Sequence, residues 1–137
     1  MCGITGFLSS SGFFSPDKLT IASASIAHRG PDAEGFYFNE QKAIGLAQRR
    51  LSILDLSTAA NQPMYSHDGR YVMVFNGEVY NYQDIQREKL IGVPLKTTSD
   101  SEVILECFVK YGVNCFEWFN GMFAIVIWDT QKEQLTI

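Results

Sequence analysis

The second residue of the chain could supply both a nucleophile and a base. Cys2 directly follows Met1, and a small second residue such as cysteine generally permits removal of the initiator methionine. Removal would leave a thiol and a free α-amine, whose reference pKa is about 8, on one residue. A thiolate is a strong nucleophile and the amine could take up its proton, a pattern typical of acyl transfer without histidine. Read alone, the dipeptide is more often accidental.

A second candidate group lies at Asn76-Gly77. The asparagine amide and a backbone N–H at a residue without Cβ could donate hydrogen bonds to an oxyanion, each worth about 3 kcal/mol in the transition state. The same dipeptide is the strongest short signal for a tight hairpin turn, and from local sequence alone the turn is the commoner interpretation.

Charged residues complete a set that could recognise an amino acid. Arg49 and Arg50 precede a strand-like stretch, and an arginine fork matches a carboxylate. Asp100 follows the helix-capping Ser99, where it could meet a substrate ammonium. Each is more often a surface charge. Together, one cation, one anion, an oxyanion hole and a thiol fit an amino acid with a reactive side-chain carbonyl.

Composition excludes several classes of function. The chain has 137 residues, 46% of them hydrophobic, and a net charge of −4, so it should fold as one domain without the cationic surface that nucleic acid requires. We expect no nucleic-acid partner and no membrane partner, since no apolar stretch approaches the ~20 residues that span a bilayer. Three cysteines without a disulfide or zinc spacing, and no secretory signal, favour the cytoplasm.

Strand signals outnumber helix signals along the chain. Strands are predicted at 2–8, 36–38, 43–47, 51–54, 71–75, 79–80, 122–128 and 134–137, with Asn76-Gly77 as a turn. Helices are predicted at 16–27 after Ser15, at 82–90 after Asn81, and from the capping box at 99–102 to Gly112. Because strands and helices do not alternate, the pattern favours an α+β fold with antiparallel sheets.

Six sequence blocks resemble one family in order along the chain. The sequence is similar to the glutaminase domain of glutamine-dependent asparagine synthetases, which are class II amidotransferases with an N-terminal nucleophile. The blocks that carry the resemblance are MCGITGF at 1–7, HRGPD at 28–32, RLSILD at 50–55, FNGEVYN at 75–81, SDSEVIL at 99–105 and GMFA at 121–124.

The resemblance implies a role for each candidate residue. Cys2 would be the nucleophile once Met1 is removed, and Asn76 and Gly77 would form the oxyanion hole. The residues implied for glutamine binding are Arg50 for the α-carboxylate, Asp100 and Glu78 for the α-amine, and Leu51, Ile53 and Leu54 for the pocket lining, with Asn76 and Gly77 also in contact. The reaction would release ammonia and pass through a glutamyl thioester. Gln48 stands where the family frequently has histidine, and we expect little effect from it.

The resemblance also implies an architecture and partners. It implies a four-layer α/β/β/α sandwich of the N-terminal-nucleophile hydrolase type. Residues 1–137 would be the glutaminase domain alone, C-terminally truncated, with L-glutamine as substrate, a synthetase domain in the full-length chain, and a homodimer as a further expectation. No cofactor is expected in this chain, whereas ATP and magnesium are implied for the synthetase domain. Two alternatives stay open: the same chemistry feeding another acceptor, such as a sugar acid or antibiotic precursor, or a non-catalytic interaction module.

Overall fold

The described part of the chain forms two antiparallel sheets and three α-helices. The computed structural model describes residues 2–9, 13–53 and 55–137. Within them the elements are β1 (Gly3–Leu8), α1 (Pro16–Ser25), β2 (Ala33–Asn39), β3 (Ile44–Arg50), β4 (Met64–Tyr65), β5 (Tyr71–Val79), α2 (Tyr82–Lys89), α3 (Asp100–Tyr111), β6 (Gly121–Asp129) and β7 (Gln134–Thr136). Short 3-10 helices cover Ala27–Arg29, Thr58–Ala60 and Gly112–Trp118. The predicted α+β class with antiparallel sheets is confirmed.

The first sheet has the strand order β1-β3-β2, and α1 packs against it. The pairing of β1 with β3 runs from Gly3 opposite Arg49 to Leu8 opposite Ile44. Helix α1 begins as predicted, because the Ser15 hydroxyl accepts a hydrogen bond from the Lys18 N–H at 3.4 Å. Contacts of α1 with β1 and β3 hold the helix over one face of the first sheet.

The second sheet has the strand order β4-β5-β6-β7, and α3 packs against β5. Strands β5 and β6 pair over nine residues each, from Tyr71 opposite Asp129 to Val79 opposite Gly121. Side chains of β5 alternate between two hydrophobic clusters because successive residues of a strand point to opposite faces. Met73, Phe75 and Val79 pack with α3 on one face of this sheet.

The two sheets share an interior. The cluster between them comprises Ile44, Leu46, Val72, Val74 and Trp128, all at most 2% exposed. Gln48 and Arg50 follow Ile44 and Leu46 at the two-residue spacing of β3, so they lie on the inner face of the first sheet. A polar end of β3 is thereby placed at one end of an apolar interior.

The predicted turn at Asn76-Gly77 is wrong. Both residues lie inside β5, which continues unbroken from Tyr71 to Val79. Asn76 pairs with Ala124 and Gly77 with Phe123, so the ladder to β6 overrides the local turn signal. Gly77 keeps a backbone requirement of its own, with φ at 154°.

Three smaller predictions also need correction. Leu51, Ser52 and Ile53 form a loop rather than a strand, and Leu54 lies outside the described residues. Helix α2 follows Asn81 as predicted, but the Asn81 side chain does not cap it; its amide donates to the Trp118 carbonyl and its oxygen accepts from the Asn120 N–H. A third departure concerns the capping box of α3.

Only half of that capping box forms. The Ser99 hydroxyl accepts from the Glu102 N–H at 3.4 Å, as the motif predicts. The Glu102 carboxylate, however, accepts from the N–H groups of Lys96 and Thr97 and contacts His67 Nε2 at 2.8 Å. The side chain therefore ties the start of α3 to the segment before it and to the β4–β5 connection.

Candidate active site

A cavity of about 220 Å³ opens where the polar end of β3 meets the end of β5 and the start of α3. This volume lies below the range of about 300–1,000 Å³ for drug-sized ligands, so it suits a small molecule. Its lining includes most of the candidate residues, and the full set is Cys2, Gln48, Arg50, Leu51, Ile53, Ala60, Gln62, Phe75, Gly77, Glu78, Tyr80, Ser99, Asp100, Ser101 and Met122.

The Cys2 thiol is held at the cavity by the peptide group of Leu51. The Leu51 N–H donates to Cys2 Sγ at 3.3 Å, and the thiol faces the Leu51 carbonyl oxygen at 3.7 Å. Cys2 immediately precedes β1, and the pairing of β1 with β3 brings it beside the end of β3. Cys2 as a residue is partly exposed, and it lines the cavity. Met1, whose removal the mechanism requires, lies outside the described residues.

Arg50, not Arg49, lines the cavity. Arg49 lies on the opposite face of β3, where it bonds the Ser23 hydroxyl at 3.0 Å and pairs with Glu34 at 2.6 Å. Arg50 is 7% exposed, and its guanidinium donates to the Ser57 carbonyl at 2.9 Å and to Asn61 Oδ1 at 2.7 Å. Because successive side chains of a strand point to opposite faces, Arg49 contacts Ser23 of α1 whereas Arg50 lines the cavity.

The loop that follows Arg50 forms one wall of the cavity. The Ser52 N–H donates to Asp32 Oδ2 at 2.7 Å, which ties the loop to the segment before β2. Leu51 and Ile53 line the cavity, and Ile53 is 64% exposed, so it forms part of the rim. Leu54, the remaining predicted lining residue, lies outside the described residues.

Gly77 lines the cavity, whereas Asn76 does not. A Cβ at Gly77 would overlap the Met122 carbonyl oxygen and the Phe123 backbone, and its φ of 154° also favours glycine. Asn76 shares the face of β5 that turns toward the first sheet, because it follows Val74 by two residues. Its Oδ1 is buried and has no hydrogen-bond partner among the residues that the structure describes.

Two carboxylate residues, Asp100 and Glu78, also line the cavity. Asp100 is the first residue of α3 and is 5% exposed; its Oδ2 accepts from the Val79 N–H at 3.0 Å. Burial raises the pKa of the Asp100 carboxyl, the Val79 hydrogen bond opposes that rise, and the negative charge of Glu78 adds to it. Glu78 itself is exposed at the rim. A ligand cation close to both carboxylates would stabilise the ionised form of Asp100, which burial disfavours.

Two buried glutamines, to which the sequence analysis gave no role, lie at the cavity. Gln48 donates to the Phe75 carbonyl at 2.8 Å, and Gln62 Oε1 accepts from the Phe75 N–H at 2.6 Å. The two side chains pair with the backbone N–H and carbonyl of Phe75, next to Asn76, where β4 no longer pairs with β5. Both glutamines line the cavity. Gln48, which stands where the family frequently has histidine, therefore lies at the candidate site itself. Its spacing of two from Arg50 was the available signal.

Other parts of the described chain offer less chemistry. Cys107 and Cys115 are 0% exposed, and burial raises their thiol pKa values to about 11 and about 12. A second cavity of about 480 Å³ is lined by residues without a titratable side chain: Ile4, Thr5, Gly6, Phe7, Leu8, Leu46, Val74, Val126, Leu135 and Ile137. Across residues 2–9, 13–53 and 55–137, no acidic, histidine or cysteine cluster could hold a metal ion, and no helix is long and apolar enough to cross a membrane.

Curated proteins similar to this chain include synthetases and an amidase. The chain is 37% identical to asparagine synthetase [glutamine-hydrolyzing] 2 of Bacillus subtilis and 36% identical to putative asparagine synthetase [glutamine-hydrolyzing] 2 of Methanocaldococcus jannaschii. It is 35% identical to amidase chry2 of Gibberella zeae. These alignments cover 96% to 98% of this chain but only 18% to 28% of the relatives.

A family model covers the chain from end to end. The model described as glutamine amidotransferase domain matches residues 1–137. That match spans every block from which the resemblance was inferred, and the cavity brings the Cys2 thiol, a buried arginine and two carboxylates together within it. The chain belongs to the glutamine amidotransferase domain family, and the predicted resemblance is confirmed.

Proposed function

We propose that this domain hydrolyses the side-chain amide of L-glutamine to glutamate and ammonia through a thioester on Cys2. The observation that carries the proposal is the lining of one small cavity, which combines a thiol, a buried guanidinium and a buried carboxylate. These are the groups that a free amino acid with a reactive side-chain carbonyl would need. The family match supports the choice of glutamine.

Binding would use the two charged groups on the α-carbon of glutamine. The Arg50 guanidinium would hold the α-carboxylate, and Asp100 with Glu78 would hold the α-ammonium. A buried carboxylate whose pKa is raised by desolvation gains from a cation that replaces the lost water, which supports the role of Asp100. Leu51, Ile53 and Leu54 would contact the rest of the substrate.

Chemistry would begin with attack of Cys2 Sγ on the carboxamide carbon. The Cys2 α-amine, once Met1 is removed, would take the thiol proton and deliver it to the leaving nitrogen, which departs as ammonia. The Gly77 N–H and the Asn76 amide would stabilise the oxyanion. Asn76 lies on the face of β5 that turns toward the first sheet, the sheet that Cys2 adjoins, and this position supports the assignment. Water would then hydrolyse the thioester to glutamate and restore the thiol.

The family also suggests the architecture and the wider context. We propose the four-layer α/β/β/α sandwich, supported by α1 on the first sheet, α3 on the second and the shared interior between them. The chain spans 18% to 28% of the first three relatives, so residues 1–137 would be the glutaminase domain of a longer cytoplasmic protein. An ATP-dependent synthetase domain would use the ammonia to make asparagine, and a homodimer is a further proposal.

A second candidate function differs in the ammonia acceptor. The relative named amidase chry2 is 35% identical over 98% of this chain, so the same glutaminase chemistry could serve an acceptor other than aspartate. The glutaminase site cannot distinguish these cases because it holds only the ammonia donor. Screening of ammonia acceptors with the full-length protein, in the presence of ATP and magnesium, would distinguish them.

Covalent labelling tests the glutaminase proposal. A diazoketone analogue of glutamine should add one label per chain, located on Cys2 by peptide mass spectrometry, and glutamine should protect against it. Cys2→Ala should abolish ammonia release, and Cys107→Ala should serve as the matched control with activity retained. Labelling at Cys107 or Cys115 would refute the assignment of the nucleophile. A folded wild-type protein that releases no ammonia and takes no label would favour the interaction-module alternative.

A further inference from the structure

Asp55 contacts Arg50 and the segment that immediately precedes α3. Arg50 lies at the end of β3, whereas Asp100 begins α3, 50 residues later in the chain. The Asp55 carbonyl oxygen accepts a hydrogen bond from the Arg50 guanidinium. The Asp55 carboxylate reaches the segment before α3, because Oδ2 accepts from the Thr98 N–H at 2.8 Å and from its hydroxyl at 3.3 Å. One residue therefore links Arg50 to the chain segment that leads into Asp100.

The carboxylate of Asp55 is organised on both of its oxygens. Oδ1 accepts from the Ser57 N–H at 3.0 Å and from the Ser57 hydroxyl at 2.6 Å, which closes the loop behind Arg50. These hydrogen bonds, led by the Ser57 hydroxyl and the Thr98 N–H, lower the pKa of Asp55 to about 2. The backbone φ of Asp55 is 48°, in the left-handed region that aspartate tolerates better than most residues. Asp55 thus stays ionised across the usable pH range.

The Thr98 contact acts close to Asp100. Thr98 immediately precedes Ser99, the N-cap of α3, and Asp100 is the first residue of that helix. The segment is also held by the Glu102 carboxylate, which accepts from the Lys96 and Thr97 N–H groups. Asp55 adds the tie that runs from this segment across to the Arg50 loop. Its own side chain does not line the cavity.

We propose that Asp55 is a positioning residue that sets the separation between the carboxylate-binding Arg50 and the ammonium-binding Asp100. The inference rests on the proposed function. A ligand that is bound through both charged groups on its α-carbon is sensitive to that separation, because a shift of either protein residue misaligns one of the two contacts. A ligand that carries only one of these groups is not. The contribution of Asp55 should therefore depend on whether the substrate carries both charged groups.

That dependence gives a test which a purely structural role would not pass. In the full chain, Asp55→Ala should raise the KM for glutamine about 10-fold while kcat stays within about 3-fold. For 4-carbamoylbutanoate, which lacks the α-ammonium, the KM of Asp55→Ala should match that of the wild type. Thr98→Val, which removes only the 3.3 Å hydroxyl bond, should shift the glutamine KM in the same direction by a smaller factor. Asp84→Ala, at an exposed aspartate paired with Arg87, is the matched control and should change neither substrate.

The outcomes separate this inference from the proposed function. Equal KM increases for both substrates, or no increase for glutamine, would overturn the role of Asp55 while leaving glutaminase activity in place. Wild-type protein that neither hydrolyses glutamine nor labels at Cys2 would overturn the proposed function and this inference with it. Should Asp55→Ala fail to fold, Asp55→Asn and Thr98→Val carry the same comparison, and thermal melts of each variant identify that case.

Discussion

Replacing Asp100 by asparagine separates a loss of binding from a loss of stability. The substitution keeps the shape of the side chain and an oxygen that can accept from the Val79 N–H, while its amide can donate to the Ser101 hydroxyl. It removes only the negative charge. In the proposed function, that charge faces the glutamine α-ammonium, so the variant should bind glutamine poorly and fold well.

The expected loss of binding can be bounded from the structure. Truncating one partner of a buried, hydrogen-bonded charge pair costs about 2–5 kcal/mol. Asp100 is 5% exposed, so solvent screens it weakly, but Glu78 leaves a second negative charge close by. The lower part of the range, about 2–3 kcal/mol, is therefore expected, which corresponds to roughly a 30- to 150-fold increase in the KM for glutamine.

The expected effect on stability has the opposite sign. Burial raises the pKa of Asp100 above its ordinary value of 3.8, so the ionised carboxylate is less favourable in the folded protein than in the unfolded chain. This cost is absent below pH 3.8 and develops as the pH rises through the folded-state pKa. At pH 7 the neutral asparagine avoids it, and the Tm of Asp100→Asn should equal or exceed that of the wild type.

A coupled assay of ammonia release, the product that both substrates share, tests this reasoning. Wild-type protein should prefer glutamine over 4-carbamoylbutanoate, which has no α-ammonium, whereas Asp100→Asn should lose most of that preference. Asp129→Asn is the matched control, because Asp129 is similarly buried at 7% exposure but bonds Arg70 at a distance from the cavity. An unchanged KM for glutamine in Asp100→Asn, with an unchanged preference between the substrates, would refute the role of Asp100.

Three further predictions follow from other parts of the structure. Gly77→Ala should destabilise the protein by several kcal/mol and abolish ammonia release, because a Cβ there overlaps the β6 backbone at a φ of 154°; a melt within 1 °C of the wild type would contradict this. Iodoacetamide at pH 8 should modify Cys2 in the folded protein but not Cys107 or Cys115, whose pKa values burial raises to about 11 and about 12, as intact-mass analysis will show. The hydrogen bond from Arg70 lowers the pKa of Asp129 to about 2, so the ionised Asp129 stabilises the folded protein above about pH 4, and this stabilisation is lost as the pH falls toward 2. Denaturant titrations should therefore find that the free energy of unfolding falls less steeply with acid in Asp129→Asn than in the wild type.

The candidate residues chosen from residue types and short motifs lie around one cavity, and their roles in binding and catalysis stay predictions. Cys2, Arg50, Gly77, Glu78 and Asp100 all line one cavity, although they come from four separate blocks of sequence. The choice between the two adjacent arginines rested on the motif that follows them, and strand alternation explains why only one faces the cavity. Helix starts were also predictable, since Ser15 and Ser99 act through hydrogen bonds within the same turn.

Features that depend on distant pairing could not be read from local sequence. Asn76-Gly77 has the composition of a turn, but the pairing of β5 with β6 over nine residues holds it in a strand. Gln48 and Gln62 bond Phe75 across 27 and 13 residues, and Asp55 meets Thr98 across 43. Such contacts have no periodicity in the chain: spacing can place Gln48 on the same strand face as Arg50, but it does not indicate that Gln48 bonds Phe75. Conversely, short apolar runs such as 51–53 carry a strand signal that surrounding contacts overrule.

Strand β5 ties the reactivity of the domain to its global unfolding. Its side chains belong to the hydrophobic clusters on both faces of the second sheet, and the same strand carries Asn76 and Gly77. Amide hydrogens of Val74 and Phe75 should therefore exchange with solvent only when the whole domain opens, not through local fraying. Heat inactivation should then coincide with the melting transition.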